Sequence, residues 1–200
     1  MSGEFPTVTI VRHGETAWSA TGQHTGRRDI PLTPRGEAMA RDVGERLRGR
    51  RFAAVFTSPL QRAFRACELA GFGGVAEVLP DLMEWSYGDY EGLLKEAILK
   101  TRPDWRIFRD GCPGGESPTE VIARADRAVA RLREVQGESL VFAHGHLLRA
   151  LTARWLGIPL EVTHSFILKA GAVSVLGYEH SREEPAIVLW NDTAHLRGGR

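Results

Sequence analysis

Arg12, His13 and Gly14 close an apolar run, Val8 to Val11, so that a guanidinium and an imidazole stand side by side where a strand ends. That pairing suits phosphoryl chemistry: the imidazole can attack phosphorus while the guanidinium neutralises the anion, and a glycine allows close backbone approach to a ligand. The bare triplet is a weak signal, because short strings recur by chance and a lone His more often ends a strand. Its company adds weight. Arg62 follows a second apolar segment, Glu84 a third, and His144 with His146 a fourth. In an open α/β sheet such strand ends gather at one edge, so these side chains are expected to converge.

Hydrolysis of a phosphate monoester needs in-line attack, charge stabilisation on the non-bridging oxygens and a proton for the departing alkoxide. His13 can attack through an unprotonated ring nitrogen, Arg12 and Arg62 can clamp phosphate oxygens, His144 can add a hydrogen bond, and Glu84 is the candidate acid. Two guanidinium groups disfavour protonation of His13, while a bound phosphate dianion favours the protonated carboxyl of Glu84. No Asp/Glu cluster of Mg-like spacing lies near the strand ends, so charge neutralisation falls to arginine, and neither a metal nor another cofactor is expected. His146 takes at most a supporting part, as a polar group where a helix starts. Arg65, one helical turn beyond Arg62, reads equally well as extra positive potential or as a solvated charge.

The positioning elements follow from pattern and punctuation. Strands are expected at 7–12, 53–57, 75–79, 139–143, within 165–178 as a bent pair, and at 186–191. Thr33 and Pro34 open a helix through Arg48; Ser58 and Pro59 cap another to about Ala70; a helical run covers 91–100; Ser117, Pro118 and Glu120 form a capping box for a long helix; and 147–156 is helical. Residues 18–30 and 102–118 read as loops, the latter able to fold over a site. Residues 197–200 look like a frayed tail.

The chain of 200 residues is 42% hydrophobic and 26% charged, as expected of one α/β domain spanning 1–200. With 26 basic against 25 acidic residues it offers no polyelectrolyte surface for nucleic acid or an anionic membrane. Two cysteines, Cys67 and Cys112, give no disulfide framework. No apolar stretch reaches membrane-spanning length, and a cytoplasmic enzyme is the expectation. A homodimer stays open.

Arg12-His13-Gly14-Glu15-Thr16, Ser58-Pro59-Leu60-Gln61-Arg62-Ala63, Leu82-Met83-Glu84 with Tyr87, Gly88, Glu91 and Gly92, and Ala143-His144-Gly145-His146 together resemble the histidine phosphatase (phosphoglycerate-mutase-like) superfamily over nearly the whole chain. The resemblance implies a three-layer α/β/α sandwich with a mostly parallel central sheet and helices on both faces. It also implies His13 as the phosphorylated residue, Glu84 as proton donor, and Arg12, Arg62 and His144 as the phosphate pocket. Residues 18–26 and 84–88 look like a branch that includes an actinobacterial acid phosphatase and a fungal sedoheptulose bisphosphatase. On that footing Ser19 and Gly145 join the phosphate pocket, and Gln23, His24, Thr25 and Gly26 reach a small phosphorylated metabolite beyond its phosphate. The compact segment between acid and final His block favours hydrolysis; a phosphomutase is the second reading and a non-catalytic phospho-ligand binding module the third.

Overall fold

A computed structural model describes residues 5–197. Six strands form one sheet among the described residues: β1 (Val8–Arg12), β2 (Ala54–Thr57), β3 (Ala76–Val78), β4 (Ser139–Ala143), β5 (Val173–Tyr178) and β6 (Pro185–Asp192), in the order β3-β2-β4-β1-β5-β6. The first four run parallel, β5 pairs antiparallel with β1, and β6 pairs antiparallel with β5 at the sheet edge. The helices are α1 (Ala17–Thr21), α2 (Pro34–Arg46), α3 (Gln61–Leu69), α4 (Lys95–Thr101), α5 (Ile107–Asp110), α6 (Pro118–Arg133) and α7 (Gly145–Leu156).

Successive strand residues point to opposite faces. Ile10 and Val141 meet Val129 and Leu132 of α6 and Leu147, Leu151 and Trp155 of α7. Val11, Leu140 and Phe142 meet Ala40 and Val43 of α2 and Ala66 and Cys67 of α3 on the other side. Helices therefore cover both faces, and the sandwich is the expected one. The β1–β4 register sets Arg12 opposite Ala143, and the His13 N–H donates to the Ala143 carbonyl at 3.1 Å. His13 and His144 thus leave neighbouring parallel strands side by side.

Local chemistry fixes the ends. Thr33 Oγ1 accepts from the Gly36 N–H at 3.0 Å with Pro34 at the first helical position, and Ser117 and Glu120 close the expected capping box on α6. Gly14 and Gly36 touch: a Cβ on Gly14 would lie 2.3 Å from the Gly36 carbonyl oxygen. Gly14 therefore lets α2 pack against the turn that carries His13, not a ligand against its backbone.

Five local expectations are revised. The 18–30 segment begins inside a short helix, α1, capped reciprocally by Thr16 and Ser19. Ser58 does not cap α3, which starts at Gln61 after Leu60 with no side-chain cap. The 102–118 loop contains α5, and the 91–100 run becomes helical only at Lys95. The bent strand pair over 165–178 is a single strand, β5, preceded by a 3-10 turn (Leu160–Ser165) and an irregular stretch whose Leu168 and Ile167 carbonyls are taken by Arg12 and Trp190 side chains. Of the expected tail, residues 198–200 lie outside the described residues. Cys67 and Cys112 are buried, and burial pushes both thiols up to about 12, which leaves them protonated.

Candidate active site

His13 is buried, with Nδ1 2.7 Å from the Gly14 carbonyl oxygen. A carbonyl only accepts, so the ring hydrogen sits on Nδ1 and the Nε2 lone pair is free. Burial first, then Arg62 and Arg12, hold the His13 pKa well below its ordinary value, against the opposing pull of the Gly14 bond. The imidazole at this strand end is therefore neutral.

His144 lies beside it, ring centroids 5.1 Å apart. Ser58 Oγ accepts from the Leu60 N–H and stands 2.8 Å from His144 Nε2. The Ser58–Nε2 bond takes up one ring nitrogen of His144, and burial, then Arg62, hold the ring's pKa well below its ordinary value. The other nitrogen, Nδ1, has no partner. Among the described residues six buried side-chain nitrogen or oxygen atoms lack a hydrogen bond, and three of them are His144 Nδ1, Arg12 Nε and Arg62 Nε. Unpaired buried polar nitrogens are costly, and a cluster of them with two guanidinium groups around one imidazole marks a site built for an anion.

The guanidinium groups are held by backbone carbonyls and not by carboxylates. Arg12 Nη1 donates to Leu168 at 2.5 Å, while Arg62 donates to Arg28 at 3.0 Å, Thr25 at 3.2 Å and Gly26 at 2.7 Å. Gly145 gives Arg12 its path, since a Cβ there would meet the Arg12 guanidinium carbon at 3.3 Å. Each arginine keeps its charge available for a ligand.

Glu84 is also buried. Its Oε1 accepts from Trp85 N–H and Leu147 N–H, both at 2.9 Å, and Oε2 accepts from His146 N–H at 3.1 Å, so the carboxylate sits on the N-terminus of α7. Arg124 of α6 props this segment from below: it donates to the Asp81 and Met83 carbonyls at 2.7 Å and forks onto the Glu116 carboxylate at 2.9 and 3.0 Å. Glu116 in turn accepts from Ser86 N–H and pairs with Arg27.

A cavity of about 180 Å³ opens over these groups, lined by Arg12, His13 and Glu84 on its floor and by Ser19, Gln23, His24, Thr25, Tyr87, Gly145, His146 and Arg149 on its walls. Arg62 and His144 are fully buried at its edge. Ser19 reaches the cavity, but its hydroxyl is engaged with the Thr16 backbone. Gln23 donates to the Gly92 carbonyl at 2.9 Å, and His24 Nδ1 bonds the Leu93 carbonyl at 2.9 Å. Gly26 faces away, under Glu91, whose carboxylate accepts from its N–H at 2.7 Å. Arg65 is out of the site, paired on the surface with Glu37 and Glu68.

Three groups sequence reasoning missed or undervalued belong here. His146 falls in the first turn of α7, diverging from His144, yet its half-buried ring lines the cavity with Nδ1 bonded to the Tyr87 hydroxyl. Burial, then Arg149, holds it neutral, and burial raises the Tyr87 pKa well above its ordinary value. Arg149 lines the same wall, and Arg124 anchors the segment that carries Glu84. The signal for Arg124 was visible: it lies on the same helical stripe as Val121, Ala125 and Ala128, where a charge needs buried partners.

A family model described as the histidine phosphatase superfamily (branch 1) matches residues 8–193. An acid phosphatase of Mycobacterium tuberculosis is 38% identical over 90% of this chain and 91% of its own length. A sedoheptulose 1,7-bisphosphatase of Saccharomyces cerevisiae is 34% identical over 92% of each chain, and a probable phosphoglycerate mutase of Salmonella is 32% identical over 88% of this chain and 86% of its own. A solved structure from M. tuberculosis superposes with a TM-score of 0.87 at 36% identity, covering 92% of this chain and 96% of that one. A mycobacterial glucosyl-3-phosphoglycerate phosphatase superposes at 0.80, with 26% identity over 94% and 99%. With strand ends, buried donors and full-length similarity in agreement, the chain belongs to the histidine phosphatase superfamily, branch 1.

Proposed function

We propose that this phosphoric monoester hydrolase acts on small phosphorylated metabolites with His13 as nucleophile and Glu84 as acid. The observation that carries the assignment is the set of partnerless buried nitrogens, Arg12 Nε, Arg62 Nε and His144 Nδ1, around the His13 imidazole, whose pKa is held well below its ordinary value. A phosphoryl group at His13 Nε2 gives them acceptors, and an anion compensates the two guanidinium charges.

In the first step the Nε2 lone pair forms a bond to phosphorus as the phosphorus–oxygen ester bond breaks, and the Glu84 proton goes to the departing oxygen. In the second, Glu84, now a carboxylate, takes a proton from water as that water attacks phosphorus. The nitrogen–phosphorus bond breaks, inorganic phosphate leaves, and His13 and the Glu84 acid are restored. The relatives' names, an acid phosphatase, a sugar bisphosphatase and a glucosyl-phosphoglycerate phosphatase, support a small phosphorylated substrate.

His13→Ala tests the assignment. Phosphate release from an aryl phosphate should fall to background, and wild-type enzyme given labelled substrate and quenched in alkaline detergent should retain protein-bound phosphate, stable in alkali and lost in acid, that the variant lacks. Turnover by the variant at the wild-type rate rules the nucleophile out.

A further inference from the structure

The main chain on both sides of Glu84 is gripped by one ion pair. Arg124 of α6 donates to the Asp81 and Met83 carbonyls at 2.7 Å and to the carbonyl of Glu84 itself at 3.5 Å. Glu116, in the loop before α6, meets the chain just after Glu84 with every polar group it has. Its carboxylate accepts from the Ser86 N–H at 2.7 Å, its carbonyl accepts from the Trp85 indole at 2.9 Å, and its N–H donates to the Ser86 carbonyl at 2.9 Å. The forked bond between Arg124 and Glu116, at 2.9 and 3.0 Å, joins the two grips. Arg27, from the loop whose carbonyls hold Arg62, reaches the same carboxylate at 3.3 Å and the Met83 sulfur as well.

Burial raises the Glu116 pKa, but Arg124, aided by the Ser86 N–H and Arg27, outweighs it and holds the carboxyl below its ordinary value. Stability alone does not account for such a pair. Arg124 stands on the apolar stripe of α6, and replacing both partners of a buried ion pair with packed apolar side chains is often neutral or stabilising. What charged forks add over apolar contact is direction: they fix how the peptide groups of residues 81–86 are turned.

We propose that Glu116 is a positioning residue for the acid step, setting with Arg124 where the Glu84 carboxyl stands relative to the oxygen that leaves phosphorus. The role rests on the assignment of Glu84 as acid. Proton delivery depends steeply on position, and it matters most to a leaving group too basic to depart without the proton. A misplaced Glu84 therefore costs more as the leaving group becomes more basic. General loosening of the fold does not produce that gradient.

The test measures kcat/KM, which reports formation of the phosphohistidine, on ring-substituted phenyl phosphates of similar shape, from dinitrophenyl to unsubstituted phenyl. Glu84→Gln is the reference and should lose activity progressively along this series. Glu116→Gln should follow the same trend, losing at least about tenfold on phenyl phosphate and less than about twofold on dinitrophenyl phosphate. In the Glu84→Gln background it should cost nothing further. An equal loss along the series, no loss at all, or a further loss in the Glu84→Gln background overturns the positioning role and leaves the acid standing. A Glu84→Gln loss that is the same on every ester overturns the acid and the positioning role together. If Glu116→Gln does not fold, Arg124→Lys, which keeps the charge and gives up the fork, carries the same comparison. Failure of both to fold where Glu84→Gln folds assigns the pair to the fold alone and overturns the proposal.

Discussion

The floor of the cavity hangs on backbone that the sheet fixes: His13 and His144 each follow a strand of one parallel pair, joined by the hydrogen bond from His13 to Ala143. The rim is assembled from segments far apart in sequence. Residues 23–28 are held by Gly92, Leu93 and the Glu91 carboxylate, and residues 86–89 by 113–116. Gly88, at φ 52°, is so close to this second segment that a Cβ would lie 2.1 Å from the Pro113 carbonyl oxygen. Regular ladders thus hold the groups that meet phosphorus, and loop-to-loop contacts hold those that meet the rest of a substrate. A change in the floor should cost every substrate alike. A change in the rim should alter which substrate is preferred.

The largest effect is expected where one residue ties the two regions together. Arg124→Met takes from the half-buried Glu116 carboxylate its main partner and frees the Asp81 and Met83 carbonyls. It should lower unfolding stability by about 3–5 kcal/mol in denaturant titration, and an effect under 1 kcal/mol would show that the prop is dispensable. His144→Gln, a floor change, should lower kcat/KM roughly 100- to 1,000-fold by the same factor on every ester tested; a factor that differs widely among esters breaks the division. Gly26→Ala, a rim change, places a Cβ 2.5 Å from Glu91 and 2.6 Å from the Trp85 carbonyl oxygen. It should cost about 1–3 kcal/mol of stability and reorder a panel of metabolite phosphates through KM while aryl phosphate is least affected.

The last effect is read against pH. His13, His144 and His146 are held in the fold well below their ordinary value of 6.5, mainly by burial. Below pH 6.5 the unfolded chain binds protons that the folded chain refuses, so stability falls as pH drops from there toward the folded values. Each ring contributes up to about 1.4 kcal/mol per pH unit. Thermal midpoints across pH 4.5–8 should show this slope, made shallower by His146→Gln; a flat profile below pH 6.5 contradicts neutral buried rings.

The floor was legible in the sequence because its residues sit beside strand ends marked by apolar runs, and the β1 and β4 expectations matched the strands nearly residue for residue. The rim was less legible for a physical reason. Ser19, read as a phosphate ligand, spends its hydroxyl on the Thr16 backbone in a helix of five residues, too short to show a period. Phe166 to Leu168 look like strand by composition, but Gly171, at φ 69°, turns the chain there, and side chains rather than a ladder take two of the carbonyls. Ser58 reads as a helix cap from its neighbours alone; its bond to His144, 86 residues on, is a tertiary fact. Arg124 is the instructive miss, since its place on an apolar stripe asked where its charge would go.

The Glu84 carboxylate accepts three backbone N–H groups, two of them from the first turn of α7. In the proposed cycle the same oxygens gain and surrender a proton once per turnover, and a protonated oxygen is a poorer acceptor. The opening turn of that helix therefore loosens and tightens in step with the chemistry, and the amide hydrogens of His146 and Leu147 become natural reporters of which half of the cycle the enzyme occupies.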